Sequence, residues 1–172
     1  CKGSPMKSDI VQVLPTDGYV NNRLRSYPYG EPDRTTYSSN NGFSTLAPFS
    51  VEGYSGTVFE PNDEYKGDIA RIYFYMATRY ENNVSSWNNK GATAVFAGNP
   101  YPVFTGWFLK MLLRWAKEDP VSQKEIDRNN AVYKCQRNRN PYVDYPGLEQ
   151  YVWGDKVEES FSYDNYDGSN PN

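Results

Sequence analysis

The sequence predicts a mainly α fold with short β strands and long loops. Three observations carry that reading: a helical apolar period from Glu64 to Tyr80, an almost wholly apolar run from Phe104 to Lys117, and a capping box that opens a third helix at Ser122. A chain of 172 residues suffices for one domain with its own core. With 16 Tyr, 8 Phe and 4 Trp beside a modest aliphatic share, that core is expected to be aromatic and rich in tyrosine.

From Cys1 to Ser8 the chain is polar and poorly patterned, and Ile10, Val11, Val13 and Leu14 then form a brief apolar segment that Pro15-Thr16-Asp17-Gly18 stops as a turn. Between Tyr19 and Ser50, Asn, Ser, Gly, Pro and Tyr cluster without a sustained period. This reads as a long loop region with short extended pieces, and loops of that length in a compact domain are usually functional. Pro61 precedes the first long helix, on which Ile69, Ile72, Tyr73, Met76, Ala77 and Tyr80 recur at spacings of three and four. Asn82 to Asn99 is polar and small. In the run 104–117, Trp107, Phe108, Leu109, Met111, Leu112, Leu113 and Trp115 put apolar groups on almost every side, as expected of a centrally buried helix. The third helix, 122–137, starts with Ser122 and Glu125 as a capping box. Ile126, Asn129, Asn130, Tyr133 and Gln136 share one of its faces, mixing apolar groups with carboxamides that need partners if buried. The short loop between the second and third helices predicts an antiparallel pair. Gly147 to Trp153 can add a last turn. The acidic stretch beyond Gly154, rich in Ser, Tyr, Asn and Gly, has little to bury, so a domain over 1–153 with a mobile tail over 154–172 is expected.

Charge narrows the partners. The 18 Lys and Arg against 21 Asp and Glu leave −3, so the field of the whole molecule does not gather nucleic acid and any polyanion site rests on local cations. Candidates are Arg23, Arg25, Lys134, Arg137 and Arg139, the last three at one helix end. A guanidinium can grip a phosphate bidentately. The alternative is a solvated helix C-terminus, where cations complement the dipole with no ligand. Cys1 and Cys135 could pair, but two cysteines define no framework. No run approaches the roughly 18 apolar residues of a membrane span, and no signal peptide opens the chain.

The stretch from Asp119 to Tyr142 (DPVSQKEIDRNNAVYKCQRNRNPY) closely resembles the C-terminal signature of the bacterial endonuclease I family, metal-dependent nucleases of the His-Me finger type that cleave DNA or RNA with little sequence preference. Two further blocks agree in order: Ser8 to Asn21, and Phe59-Glu60-Pro61 followed by Lys66 to Met76. The resemblance spans the chain to about Trp153. It implies an endonuclease I-like scaffold, Mg or Ca as cofactor, DNA or RNA as partner, and secretion or a periplasmic location. Nothing indicates an oligomeric state. Asn21 corresponds to the family's asparagine whose amide oxygen coordinates the ion, although a turn residue after Thr16-Asp17-Gly18 is the alternative. Gln12, Asp17, Gln136, Asn138 and Asn140 are expected to be structural residues near the site. Arg137 stands where the family usually has Gly. Glu60 and Arg71 are expected to form a structural pair.

The sequence contains no histidine. The resemblance implies a histidine general base acting on the attacking water, with one divalent ion stabilising charge on the scissile phosphate and the leaving oxygen. In the family that histidine follows an acidic ligand, upstream of the block matching Ser8 to Asn21. The N-terminal catalytic piece is therefore expected to be missing or incomplete here, either because it belongs to a longer parent or because the protein never had it. A histidine supplied by a partner chain is a further option. Gln12, Leu24 and Ser26 depart from the family's usual His or Asn, Arg and Asn, as drift around a disused site would produce. One neutral oxygen from Asn21 holds a divalent cation poorly. The expectation is a nuclease-family domain with no catalytic residue of its own and no useful cutting. The alternative is a non-catalytic nucleic-acid or protein interaction module on a degenerate nuclease scaffold.

Overall fold

The computed structural model describes residues 6–24, 26–33, 35–39, 41–88 and 92–164. Its elements in chain order are α1 (Gly18–Leu24), β1 (Tyr37–Ser38), β2 (Thr45–Val51), β3 (Tyr54–Glu60), α2 (Lys66–Arg79), α3 (Glu81–Val84), α4 (Gly106–Glu118), α5 (Gln123–Gln136), α6 (Pro141–Asp144) and α7 (Leu148–Val152). They fall into two compact units, one drawn from 15–66 and 81–112, the other from 1–14, 67–80 and 113–172.

The unit built from 15–66 and 81–112 holds a three-stranded antiparallel sheet in the order β1-β2-β3. Strands β2 and β3 are a hairpin in which Thr45 faces Glu60 and Val51 faces Tyr54. The two-residue connection Glu52-Gly53 places Gly53 at φ 87°, a conformation that glycine adopts without steric cost. Pro28 to Gly30 runs beside β3, with the Phe59 amide donating to the Pro28 carbonyl (2.9 Å) and the Gly30 amide to the Phe59 carbonyl (3.1 Å). A Cβ at Gly30 would lie 2.7 Å from Val58, so this close approach requires glycine. The region 19–50 thus carries most of α1, all of β1 and most of β2. Its elements are only two to seven residues long, too short to show a sustained period.

Lys66 Nζ gathers three carboxylates of this unit: Asp63 (2.7 Å), Glu60 (2.8 Å) and Glu31 (3.2 Å). Glu60, which also accepts from Thr45 Oγ1 at 3.1 Å, is therefore not the partner of Arg71. Ala47, Val58, Phe59, Val84, Phe104, Phe108 and Leu112 are buried here. On α4, Phe108 and Leu112 are buried, Trp107 and Leu109 half-buried and Lys110 exposed. The helix is one-sided, not buried all round, because Lys110, Arg114 and Lys117 share the side facing water.

In the unit built from 1–14, 67–80 and 113–172, the capping box at Ser122 is formed: its Oγ accepts from the Glu125 amide, and Glu125 Oε2 accepts from the Ser122 amide. The buried face of α5 is Glu125, Asn129 and Val132. Tyr133 is 45% exposed, so the face expected from the apolar spacing is turned by part of a turn. Glu125 explains the rotation, since it must meet Arg71: Nε and Nη2 of Arg71 donate to its two oxygens at 2.7 and 2.6 Å, and Nη1 donates to the Asp119 carbonyl at 2.9 Å. Buried charge demands such pairing. The buried amides also find partners: Asn129 accepts from the Asn140 amide (2.8 Å) and donates to the Asn140 carbonyl and Asp144. The closest backbone neighbours of α5 are the Ile10–Gln12 turn and α6, not α4.

Beyond Gly154 the Lys156 amide donates to the Gln150 carbonyl (3.0 Å), and the Phe161 ring makes edge contacts with Tyr145 and Tyr151. Residues 165–172 lie outside the described residues. Among the described residues no helix is long and apolar enough to cross a membrane.

Candidate functional site

Helix α1 presents the candidate metal ligand. Asp17 sits before it and accepts from the Tyr19 and Val20 amides at 2.9 and 3.1 Å, while the Asn21 amide donates to the Asp17 carbonyl at 2.8 Å. The Asp17 carboxylate caps the helix. Asn21 is therefore a helical residue, not a turn residue, and its side chain is exposed. Arg23 lies on the same helix, and Arg25 lies outside the described residues.

In the other unit, Lys134, Arg137 and Arg139 cluster around the C-terminal end of α5. Arg137 is the left-handed residue that ends the helix (φ 63°), its amide donating to the Tyr133 carbonyl at 3.0 Å. Glycine is the residue that takes this conformation at least cost, which accounts for the family's preference there. Lys134 and Arg137 are exposed, and neither makes an ion pair among the described residues. Arg139 differs: it grips Asp144 with two bonds of 2.7 Å and donates to Asn130 at 2.8 Å.

The segment after α5 is tied down by its amides. Gln136 accepts from the Ile10 amide (3.0 Å) and donates to Asp9 Oδ1 (2.8 Å), Asn140 donates to the Arg71 carbonyl (3.1 Å) and Asn138 donates to the Tyr75 hydroxyl. Gln12 donates to the Met6 carbonyl. Asp9 is the hub of this network. It is buried and accepts from Tyr75 and Tyr80, each at 2.7 Å, as well as from Gln136 and the Val11 amide. Burial works to raise its pKa, but the hydrogen bonds from Tyr75, Gln136, Tyr80 and Val11 outweigh it and hold the carboxyl below its ordinary value. Burial and the neighbouring Asp9 charge push the Tyr80 phenol up to about 12.

Arg128 completes the arrangement. One guanidinium nitrogen donates to the carbonyls of Ile10 and Val11, at 2.8 and 3.0 Å, and to that of Val13. The 3-10 turn Ile10–Gln12 is thus clamped onto α5 from both ends, by Gln136 and by Arg128. Sequence reasoning missed Asp9 and Arg128, and placed Tyr75 and Tyr80 on the first long helix without finding their bonds to Asp9. Asp9 and Arg128 lie in the family-like blocks, and a polar residue at the edge of an apolar segment was the available signal.

The chain belongs to the endonuclease I family. Residues 1–147 match the family described as Endonuclease I. Particular relatives sharpen the placement. The chain is 36% identical over 151 residues to the extracellular ribonuclease of Bacillus amyloliquefaciens, covering 85% of this chain and 46% of that protein. It is 34% identical over 151 residues to the extracellular ribonuclease of Bacillus subtilis, with the same coverage, and 26% identical over 138 residues to the Endonuclease-1 of Buchnera aphidicola subsp. Baizongia pistaciae, covering 80% of this chain and 46% of that protein. The chain thus spans about half the length of these relatives.

Proposed function

We propose that this chain is a substrate-holding part of an endonuclease I family nuclease, acting on RNA in preference to DNA, and that its 172 residues do not by themselves complete phosphodiester hydrolysis. The family match over residues 1–147 carries the reading. The relatives named as extracellular ribonucleases favour RNA and a secreted setting for this chain.

The donors present fall short of the divalent ion, Mg or Ca, that the family resemblance implies. Asn21 offers one neutral oxygen, and the Asp17 carboxylate is already used by two backbone amides. Among the described residues no group of three His, Cys, Asp or Glu side chains could hold a metal. Hard cations take several oxygens, carboxylates among them, so these residues do not fit the ion on their own. With no histidine in the sequence, an imidazole base is likewise absent from these residues.

What the residues present do is hold and orient. Lys134 and Arg137 offer exposed positive charge at one helix end, suited to non-bridging phosphate oxygens. Arg139 acts differently, as a brace that fixes the 137–144 segment through Asp144 and Asn130. The test is binding of a labelled single-stranded RNA by the purified chain over a salt series. The expected result is salt-sensitive binding whose log–log slope shrinks by about 1 for each of Lys134→Ala and Arg137→Ala. Binding that ignores salt and both substitutions would refute the phosphate role.

A further inference from the structure

The C-terminal ends of α2 and α5 are stitched together by one polar network, and each end carries an arginine. Tyr75, one turn before the end of α2, and Tyr80, just beyond it, both donate to Asp9 Oδ2 at 2.7 Å. Gln136, the last residue of α5, donates to the other Asp9 oxygen at 2.8 Å, and Asn138 donates to the Tyr75 hydroxyl. Arg79 is the final residue of α2 and Arg137 ends α5, so the two flank a single seam. Both are exposed. Burial and the Asp9 charge raise the Tyr75 and Tyr80 phenols while the Arg79 charge opposes them, which sets its guanidinium on the seam side of α2.

The other described arginine side chains are committed. Arg71 pairs with Glu125, Arg114 with Glu118 at 3.5 Å and Arg139 with Asp144, and Arg128 donates to three carbonyls. Among the described side chains, the guanidinium groups of Arg79 and Arg137 make no hydrogen bond or ion pair; Arg79 lies over the Tyr80 ring, 5.8 Å from its centre. An arginine at a helix C-terminus needs no ligand, since its charge complements the dipole. Two observations go beyond that. The guanidinium groups without acceptors are the two at this seam, and the seam is closed by a buried carboxylate, three of whose four donors come from the two helix ends. A rigid frame beneath two unpaired guanidinium groups suits them to phosphate oxygens, because less must be ordered on binding. We propose that Arg79 is a phosphate-binding residue that, with Arg137 across the seam, holds the backbone of an RNA strand. The proposal rests on the reading of the chain as the substrate-holding part of a nuclease, and adds to Lys134 and Arg137 a cation from a second helix.

The test measures binding of the full chain to a fluorescent single-stranded RNA of about 12 nucleotides over a salt series, with chelator to prevent cleavage. Arg79→Ala is expected to weaken binding roughly 10- to 100-fold, the range for loss of one charge-assisted contact, and to lower the log–log salt slope by about 1. Arg79→Lys keeps the slope but binds less tightly than wild type, because an ammonium cannot grip phosphate bidentately. Lys117→Ala removes the same charge from an exposed position near the other end of α2, where the Gly67 amide donates to Asp119 at 2.8 Å, and is expected to bind as wild type does. Because its side chain is exposed, Arg79→Ala is expected to fold, which a thermal melt verifies; Arg79→Gln, which keeps the length of the side chain, takes its place if the melt shifts. Arg79→Ala binding like wild type, or losing no more than Lys117→Ala, overturns the role of Arg79 and leaves the nuclease reading to Lys134 and Arg137. A loss with an unchanged salt slope overturns it too, since a phosphate contact releases counterions. A wild-type chain that binds no RNA overturns the substrate-holding reading itself.

Discussion

Arg71→Leu is expected to be among the most damaging single substitutions in this chain. Arg71 is 2% exposed, meets Glu125 through two charge-assisted bonds of 2.7 and 2.6 Å and satisfies the Asp119 carbonyl at 2.9 Å. Asp68 Oδ1 is a further 3.7 Å away. Leucine keeps much of the apolar stem but leaves the buried Glu125 carboxylate without its cation, with the buried Asp68 beside it. Removing one member of a buried pair costs about 3–5 kcal/mol. With a urea dependence of about 1–3 kcal/mol per molar, the unfolding midpoint falls by at least about 1 M. The pair Arg71→Leu, Glu125→Leu removes both charges and is expected to lose clearly less than the sum of the two single losses. Urea unfolding followed by tryptophan fluorescence measures all three variants. A loss below about 1 kcal/mol for Arg71→Leu, or strict additivity in the double variant, would show that the ion pair does not hold α2 to α5 as described.

Other substitutions separate stability from binding. Asp68 has its pKa raised to about 6, chiefly by burial and then by Glu125. The folded state therefore binds its proton more tightly than the unfolded chain, so its contribution to stability is greatest below the ordinary value of 3.8 and is lost as pH rises through about 6. Asp68→Asn should remove that pH dependence, worth about 3 kcal/mol at most, in urea titrations across this range. Asp9 has the opposite sign: its lowered pKa adds stability that is present above the ordinary value and lost in acid, and Asp9→Asn should cost about 1–3 kcal/mol at neutral pH through the lost acceptor, read in the same titrations. Ser122→Ala, which breaks the capping box of α5, should cost about 1 kcal/mol in thermal melts. Arg137→Gly should raise stability by up to about 1 kcal/mol by relieving the left-handed backbone, while weakening RNA binding.

The long helices were legible because their signals are local: the period at Ile69, Ile72, Tyr73 and Met76, and the Ser122 and Glu125 cap. The hairpin of Thr45–Val51 with Tyr54–Glu60 was not singled out, though Glu52-Gly53 between alternating residues is its mark. The Glu60 and Arg71 pairing failed because complementary charge in sequence does not specify partners. Lys66 lay closer to Glu60, and Glu125 lay where Arg71 could reach it across α5. The same lack of local information hid the burial of Asp9 and the clamp by Arg128. The side-chain partners of Asp9 lie 66 to 127 residues away, and the carbonyls that Arg128 meets lie 115 to 118 away. Asn21 is put forward by the family-like block alone, and its place on a helix is seen only with the Asp17 cap in view.

A single gel experiment separates holding from cutting: the purified chain is incubated with end-labelled structured RNA, with Mg or with chelator, and sampled both for retarded complex and for cleavage products. A retarded complex and intact RNA are expected in both conditions. RNA cut in Mg and spared in chelator would contradict the claim that these 172 residues do not complete hydrolysis. A well-folded chain that neither retards nor cuts the RNA would contradict its role in holding substrate.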